Sequence, residues 1–363
     1  MSRITLLLVG VMSLFSFAAC QSSDDSQQAL SVTVPVDIVT MVTNGPPTNL
    51  PSRTPTSTST LTPSNTPTST PTLTLTPTIT FTPTDTSTPT LSPTPEPFVD
   101  HYVLQRPISS QGEDELDRSY PYGDNQKTMS ETHHGVEFFN PRGTPVLAAE
   151  EGIVIYAGDD SVTTFGPKNN YYGLLVIIEH DIQTPDNLTV FTVYAHLDRI
   201  DVETNQLIEV GDRLGIVGDT GIAIGPHLHF EVRAGDPYDY DATRNPDLWV
   251  SPFFNTGTLA GRVTNREGEL ITNVPVTLRR AGAIHTNLKY YAWTYADDSV
   301  NSSVSWNENF TRGDLRPGDY DVFINTHYGR TLFEGLITIE AGKTSWIEIE
   351  IEDGNQFYPP IER

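Results

Sequence analysis

The stretch GPHLHFEV, residues 225–232, contains two histidines separated by one leucine. The residues around them predict a strand, and positions two apart in a strand point to the same face. His227 and His229 would then share one face, whereas Leu228 and Phe230 would point the opposite way, into a core. Two neutral imidazoles on one face suit a metal site or a proton-transfer site. A chance pair on an exposed strand is the alternative interpretation of this stretch alone.

Short runs rich in β-branched and aromatic residues recur along the chain on both sides of this stretch. They are separated by Gly, Asn or Asp, and no long segment has helical periodicity. These runs predict a mainly antiparallel β domain over residues 98–255. A second set of strands, with clear alternation in WIEIEI at 346–351, predicts a β-sandwich over residues 257–353. The predicted fold class is therefore mainly β, and residues 354–363 form a tail.

Charge and cysteine content limit the function classes. The 363-residue chain has a formal net charge of −25, which argues against nucleic-acid binding because that binding relies on Lys and Arg to neutralise phosphates. The overall field would not attract anionic wall polymers either. Cys20 is the single cysteine, so the chain has no intrachain disulfide.

The N-terminal residues 1–19 begin with a basic Arg3 and continue as an apolar run that ends in small residues. This pattern predicts a secretory signal that is too short for a comfortable transmembrane span. A cysteine directly after Phe17-Ala18-Ala19 resembles a bacterial lipoprotein processing site. The resemblance implies that Cys20 is acylated and anchors the protein to a membrane on its extracytoplasmic side. Cleavage by ordinary signal peptidase, giving a secreted protein, is the alternative.

Two segments separate this signal from the predicted folded part. Residues 20–44 are polar at their start, and residues 45–97 consist almost entirely of Pro, Thr, Ser and a few apolar residues. Proline removes backbone donors, and too little apolar surface is present to offset the entropy of ordering the chain. Residues 45–97 therefore predict a disordered linker. As an extended stalk it would reach on the order of 160 Å.

Three histidine-containing motifs carry the chemistry that we expect. They are HHGVEF (133–138), VYAHLD (193–198) and GPHLHF (225–230). In an extended segment positions i and i+4 share a face, so the first motif aligns an imidazole with a carboxylate. Together the motifs supply two imidazoles and a carboxylate for a metal, with two further imidazoles beside them. A catalytic zinc uses three such ligands and keeps a fourth position for water. The HExxH motif of helical metalloproteases is absent.

These motifs resemble the lysostaphin/LytM-type zinc metalloendopeptidases that cut peptidoglycan peptides, over roughly residues 130–253. The family pattern is H-x-x-x-D, then Y-x-H, then H-x-H, on a duplicated hybrid motif fold with a groove in an antiparallel sheet. The resemblance implies that His133, Glu137 and His229 hold one Zn²⁺ and that His196 and His227 are the catalytic pair. Glu137 replaces the family's aspartate. Its longer side chain requires an adjustment of the backbone or the metal.

Other residues near these motifs receive more modest predictions. His134 is expected to lie behind the ligands or at the surface, and His180 to be structural. Tyr194 is assigned to the groove or to core packing. The loop 158–172 is predicted to be either a wall of the substrate groove or an ordinary surface loop. No role is assigned to the isolated histidines, which are His101, His285 and His327.

The C-terminal segment GRVTNREGELITNVPVTLRR (261–280) and the later GDYDVFIN (318–325) resemble a carboxypeptidase regulatory-like, transthyretin-type β-sandwich. No catalytic cluster is visible there. The module is expected to be a structural spacer or to bind the wall or a protein partner.

The sequence therefore predicts a membrane-anchored extracytoplasmic zinc endopeptidase that hydrolyses peptide bonds of peptidoglycan. A non-catalytic LytM-like module that binds and activates a separate wall amidase is the alternative. An adhesin-like surface protein would explain the anchor and the sandwich but not the histidine cluster. The sequence leaves open whether residues 98–132 cover the groove.

Overall fold

The structure is a computed structural model that describes residues 99–125, 131–282 and 288–352. The signal segment, Cys20, the polar segment, the stalk and the tail all lie outside these residues, so their assignments stay predictions. Within the described part, no helix combines the length and the apolar character needed to cross a membrane.

The first half of the described chain forms one large sheet. Two short 3-10 helices, Tyr240–Ala242 and Pro246–Leu248, interrupt its last portion. The nine strands of this sheet are β1 (Val136–Phe139), β2 (Pro145–Leu147), β3 (Gly152–Asp159), β4 (Leu174–Gln183), β5 (Thr189–Ile200), β6 (Leu207–Ile208), β7 (Arg213–Val217), β8 (His227–Ala234) and β9 (Thr243–Arg244).

All pairings in this sheet are antiparallel. The strand order is β1-β8-β5-β4-β3-β6, while β7 joins β2 to β5 and β9 pairs with β8. All eight residues of β8 are buried, and eight of the twelve residues of β5 are buried. In β8 apolar residues alternate with His227, His229, Glu231 and Arg233, so one buried face of this strand is polar.

The remaining strands form two smaller sheets. The three-stranded sheet has the order β13-β10-β16 and the four-stranded sheet has the order β12-β11-β14-β15. The strand bounds are β10 (Gly257–Thr264), β11 (Pro275–Arg280), β12 (Lys289–Trp293), β13 (Phe310–Leu315), β14 (Gly318–Asn325), β15 (Thr331–Ile339) and β16 (Thr344–Glu350). Strands β10 and β16 run parallel, and the other pairs are antiparallel.

Apolar side chains from both small sheets share one core cluster, with Leu259 and Ile349 from one sheet and Val276 and Val322 from the other. The core beside the nine-stranded sheet is also not confined to residues before 255, because it includes Tyr295 and neighbouring apolar side chains of the C-terminal part. The prediction of a mainly β fold with antiparallel sheets is confirmed.

Candidate metal centre and active site

Strand pairing brings the three histidine motifs together. In the β1–β8 register, Glu137 lies opposite His229 and Phe139 lies opposite His227. On the other side of β8, the β5 residue Ala195 lies opposite His229, so the VYAHLD motif is also adjacent. Residues 92 positions apart in sequence thus come into contact because two antiparallel strands align them.

His133, Glu137 and His229 form a compact cluster of potential metal ligands. His133 Nε2 lies 3.0 Å from Glu137 Oε1, and His229 Nδ1 lies 3.1 Å from the same oxygen. The two imidazole nitrogens are 3.3 Å apart. Tetrahedral zinc with ligand bonds of about 2.0–2.2 Å separates its ligand atoms by about 3.3 Å. The donor set and its spacing therefore fit zinc, and the longer Glu137 side chain is compatible with that spacing.

A glycine makes this close approach possible. Gly135 lies between the first histidine and the start of β1, directly against β8. A Cβ atom at Gly135 would lie 2.6 Å from the carbonyl oxygen of Phe230 and 2.7 Å from the His229 ring. Any side chain at this position would push β1 away from β8 and separate the ligands.

In His133 and His229, the ring nitrogen that points away from the cluster makes a hydrogen bond that orients the imidazole. His133 Nδ1 donates to the carbonyl oxygen of Tyr120 at 2.8 Å, and the Tyr120 ring stacks on the imidazole with centroids 4.0 Å apart. His229 Nε2 donates to Glu231 Oε1 at 2.9 Å. Such partners fix the tautomer and the ring orientation of a metal ligand and raise its basicity. In both residues the remaining nitrogen faces the cluster.

His196 and His227 are oriented in the same way. His196 Nδ1 donates to the carbonyl oxygen of Thr220 at 2.8 Å, and His227 Nδ1 donates to that of Gly225 at 2.9 Å. The ring centroids are 4.8 Å apart. His227 Nε2 lies 3.0 Å from Glu137 Oε2, beside the ligand cluster. In both His196 and His227 the Nδ1 atom is used for this bond, so the Nε2 atom is the one that could take part in proton transfer.

The backbone at His196 is strained, with φ of +62° in the left-handed region that non-glycine residues rarely occupy. The pairing of β5 with β7 shifts register immediately after it, between Leu197 and Arg199. A backbone irregularity of this kind redirects a side chain, and such strain concentrates at functional sites. The irregularity directs the His196 ring to the cluster.

The side chains of the cluster form a charge pair between Glu137 and His229. Burial opposes ionisation of Glu137, but His229 and the hydrogen bonds from His133 and His227 outweigh it and hold the pKa of Glu137 well below its usual range. Burial likewise disfavours protonation of His229, yet the Glu137 and Glu231 carboxylates raise its pKa to about 10. Zinc must therefore displace a proton from His229.

The pKa values of the two catalytic candidates, His196 and His227, shift in opposite directions. Burial, aided by the charge of His229, lowers the pKa of His196 to about 4. Burial also disfavours the charged form of His227, but its contact with Glu137 raises the pKa above the usual value. Two histidines with separated pKa values suit opposite roles in proton transfer.

A groove with a volume of about 600 Å³ opens over the cluster. Asp117, Tyr120 and Glu131 line part of it, so described residues of the segment that precedes β1 form a wall of the groove. The opposite wall includes Lys168 and Tyr171 of the loop 158–172. Ile222 and Ile224, which shortly precede the GPHLHF motif, also line the groove.

Glu231 and Arg233 were not singled out from the sequence, although they continue the alternation of His227 and His229 along β8. Arg233 Nε donates to Glu231 Oε2 at 2.7 Å, and the Tyr172 hydroxyl donates to the other carboxylate oxygen. Both charged side chains are fully buried. Although burial opposes its ionisation, Arg233 and His229 lower the pKa of Glu231 well below its usual range. The alternation of side chains with a period of two residues is the sequence signal that could have identified Glu231 and Arg233.

The segment before β1 holds His133 through its backbone. The Gly123 amide donates to the His133 carbonyl oxygen at 2.8 Å, and the His133 amide donates to that of Asp124 at 2.9 Å. Gly123 has φ of +79°, and a Cβ atom there would lie 2.3 Å from the Tyr295 ring. This ligand-bearing segment therefore rests directly on the C-terminal part of the chain.

Two further bonds join the C-terminal part to this segment. The Ala296 amide donates to the Gly123 carbonyl oxygen at 2.7 Å. The Thr132 hydroxyl donates to Asp297 Oδ2 at 2.5 Å, one residue before the His133 ligand. We refer to residues 295–297 as the clamp. Through the clamp the C-terminal part contacts the segment that carries His133.

The remaining predicted residues have structural surroundings. His134 is buried, stacks on Tyr240 and donates from Nδ1 to the Tyr240 carbonyl oxygen at 2.8 Å, so it lies behind the ligands and not at the surface. His180 is bonded at both ring nitrogens, to Glu151 and Thr192. Tyr194 is in the core, where its hydroxyl accepts from the Ala149 amide at 2.8 Å.

Comparison with known proteins agrees with this geometry. The model for peptidase family M23 matches residues 131–240. Over 100 residues the chain is 38% identical to the peptidoglycan DD-endopeptidase ShyB of Vibrio cholerae, covering 28% of this chain and 20% of that protein. It is 37% identical over 107 residues to the cell division protein DipM of Caulobacter vibrioides, covering 30% of this chain and 15% of that protein.

A solved structure, the catalytic domain of the M23 protein EnpA of Enterococcus faecalis, is 24% identical with a TM-score of 0.32, covering 40% of this chain and 95% of that one. The chain matches about a fifth or less of the length of the two curated relatives named above. The matched segment contains His133, Glu137, His196, His227 and His229. Residues 131–240 of this chain therefore form a peptidase family M23 domain.

Proposed function

We propose that this protein is an extracytoplasmic zinc metalloendopeptidase that hydrolyses peptide bonds of peptidoglycan. The observation that carries the proposal is the His133–Glu137–His229 cluster, with its nitrogen and oxygen donors 3.0–3.3 Å apart. The groove above it and the two oriented histidines beside it supply room for a peptide and groups for proton transfer. The M23 match and the name of the Vibrio relative support the substrate class.

His133, Glu137 and His229 would hold the metal. Zinc, when bound, supplies a Lewis acid that polarises a carbonyl group and lowers the pKa of a coordinated water. The hydrogen bonds from His133 to Tyr120 and from His229 to Glu231 would hold both rings in the orientation that leaves the other ring nitrogen facing the metal.

The catalytic pair would move the proton and stabilise charge. Burial keeps His196 neutral, so that its Nε2 atom can accept the proton from the attacking water. His227, whose pKa is raised beside Glu137, is the better donor toward the developing oxyanion. The bond from His196 Nδ1 to Thr220 holds this acceptor in place during the transfer.

Zinc content and product analysis test this proposal. We expect the purified chain to bind one zinc and to release peptide ends from purified sacculi, as read by mass spectrometry. His229→Ala should lose both properties. His327→Ala, at an exposed position after β14, should keep both. A metal-free protein that leaves sacculi intact but stimulates a wall amidase would instead establish the activator function.

The anchoring part of the proposal concerns Cys20 and the stalk. Lipidation of Cys20 would hold the catalytic part away from a membrane surface at the end of the Pro/Thr/Ser-rich segment. We expect Cys20→Ser to move the protein from the membrane fraction to the soluble extracytoplasmic fraction. An unchanged distribution would contradict lipid anchoring and leave the enzymatic proposal intact.

A further inference from the structure

A second concave surface lies on the C-terminal part, far along the chain from the histidine motifs. It is the outward face of the four-stranded sheet, and it encloses about 520 Å³. We call it the sheet groove. Its floor and walls are Pro275 and Thr277 of β11, Tyr291 and Trp293 of β12, and Phe323 and Asn325 of β14.

The strand register explains the shape of this groove. Tyr291 and Phe323 both pair with Thr277, one from each neighbouring strand, and Trp293 pairs with Pro275. The large rings therefore stand on β12 and β14, the two strands that flank β11, while β11 between them carries the shorter Pro275 and Thr277. Two strand spacings separate the aromatic walls by about 10 Å. A ring-sized group fits between such walls with van der Waals contact on both sides.

The aromatic side chains of the groove face outward while the same strands build the core with their other face. Val276 and Leu278 of β11 are fully buried, whereas Thr277 between them is partly exposed, as are Tyr291 and Phe323. Rows of partly exposed aromatic rings with a few polar groups are typical of ligand sites. The polar groups at this rim include Asn325 and Thr331.

Charge is the second feature of the sheet groove. Arg279 and Lys289 face each other across β11 and β12 and line one end, and no carboxylate is among its lining residues. Arg279 also bonds the neighbouring Asp321 at 2.9 Å. In a chain with a net charge of −25 this is a local cationic end. Arg279 shares its charge with Asp321, so the excess at this end is about one positive charge, and screening over about 8–10 Å weakens the distant negative field for a bound group.

We propose that the sheet groove binds an amino-sugar glycan with free carboxylates, as in stretches of wall polymer that carry no stem peptides, so that the C-terminal part holds the polymer in which the M23 domain would cut the peptides of neighbouring stretches. The apolar faces of sugar rings pack on Tyr291, Trp293 and Phe323, and the carboxylates meet Arg279 and Lys289. This inference rests on the proposed peptidoglycan substrate. The chain's own proline-rich segment is a poorer occupant, because residues 45–97 contain only Asp85 and Glu96 as acidic groups.

Binding without hydrolysis tests the groove separately from the peptidase. The full chain carrying His229→Ala is mixed with glycan strands from which the stem peptides have been removed, which leaves the lactyl carboxylates free. We expect saturable binding that falls at least tenfold in Trp293→Ala and in Phe323→Ala. Leu336→Ala, exposed on β15 of the same sheet but outside the groove, should bind normally.

The charged end has its own control. The double variant Arg279→Gln/Lys289→Gln should lose affinity for the anionic strands while keeping the weaker affinity for an uncharged chitin tetramer. Equal binding by all the aromatic variants would overturn the proposal. So would groove-dependent binding of a synthetic peptide of residues 66–80 in the absence of any glycan binding. Glycan binding in a chain that hydrolyses no wall would refute the peptidase and leave the groove assignment standing.

Discussion

Strands β8 and β11 organise the two halves of the described structure in different ways. Every residue of β8 is buried, and one face of the strand carries His227, His229, Glu231 and Arg233. Strand β11 buries apolar Val276 and Leu278 on one face and leaves Arg279 exposed on the other. Buried charge is costly unless it is paired, whereas exposed charge is nearly neutral in energy. The comparison teaches that β8 keeps polar groups in the interior by pairing them with one another, and that these groups form part of the candidate metal centre.

Breaking the buried ion pair of β8 should have the largest effect. Glu231→Met leaves Arg233 buried without its carboxylate, so we expect the free energy of unfolding to fall by about 3–5 kcal/mol. It also removes the bond to His229 Nε2, so zinc affinity should fall by about 10–100-fold. Chemical denaturation and chelator competition measure the two effects.

A double variant separates these two contributions. Glu231→Met/Arg233→Met replaces both charges by apolar side chains of similar volume and should recover most of the lost stability. Zinc affinity should stay low, because His229 still lacks its partner. Recovery of zinc affinity together with stability would mean that Glu231 acts only through folding.

The pH dependence of zinc binding tests whether His229 of β8 forms a charge pair with Glu137. In the metal-free site the pKa of His229 is raised to about 10, so the proton is bound at neutral pH and zinc must displace it. Affinity should therefore rise with pH, by about tenfold per pH unit around neutrality. Isothermal titration in buffers of different ionisation enthalpy would count the released proton. A pH-independent affinity would contradict the charge pair between His229 and Glu137.

The clamp links the two halves, and its removal should have a moderate effect. Asp297→Ala loses the bond to Thr132 that precedes the His133 ligand, so we expect zinc affinity to fall by about three- to tenfold. Asp298→Ala, at the adjacent exposed position, is the matched control and should bind zinc normally. Identical zinc affinities for the two variants would show that the clamp contact does not position His133.

The smallest effect is expected on the surface of the C-terminal sheets. Arg266 and Glu352 form an exposed ion pair at 3.0 Å. Arg266→Ala should change the free energy of unfolding by less than about 1 kcal/mol and leave zinc affinity unchanged. Thermal unfolding and chelator competition check both statements. A loss as large as that of Glu231→Met would contradict the contrast between buried and exposed charge.

Site residues that lie close together in the sequence could be predicted from it, whereas contacts between distant residues could not. His227 and His229 lie on one strand, and strand periodicity is a local property, so their common face was predictable. The motif resemblance extended this to His133, Glu137 and His196. The role of Glu231 was also within reach, because it continues the same alternation. The clamp was not predictable, since Thr132 and Asp297 are 165 positions apart and share no local pattern.

The sequence alone determined the mainly β class, the residue types at the candidate metal centre and the faces on which apolar and polar side chains alternate. These properties follow from periods of two residues and from side-chain chemistry. Only the tertiary structure decided that Glu137 stands opposite His229, that a backbone irregularity directs His196 to the cluster, and that a C-terminal segment supports His133. Register and long-range contacts arise from packing between distant segments, which no local pattern specifies.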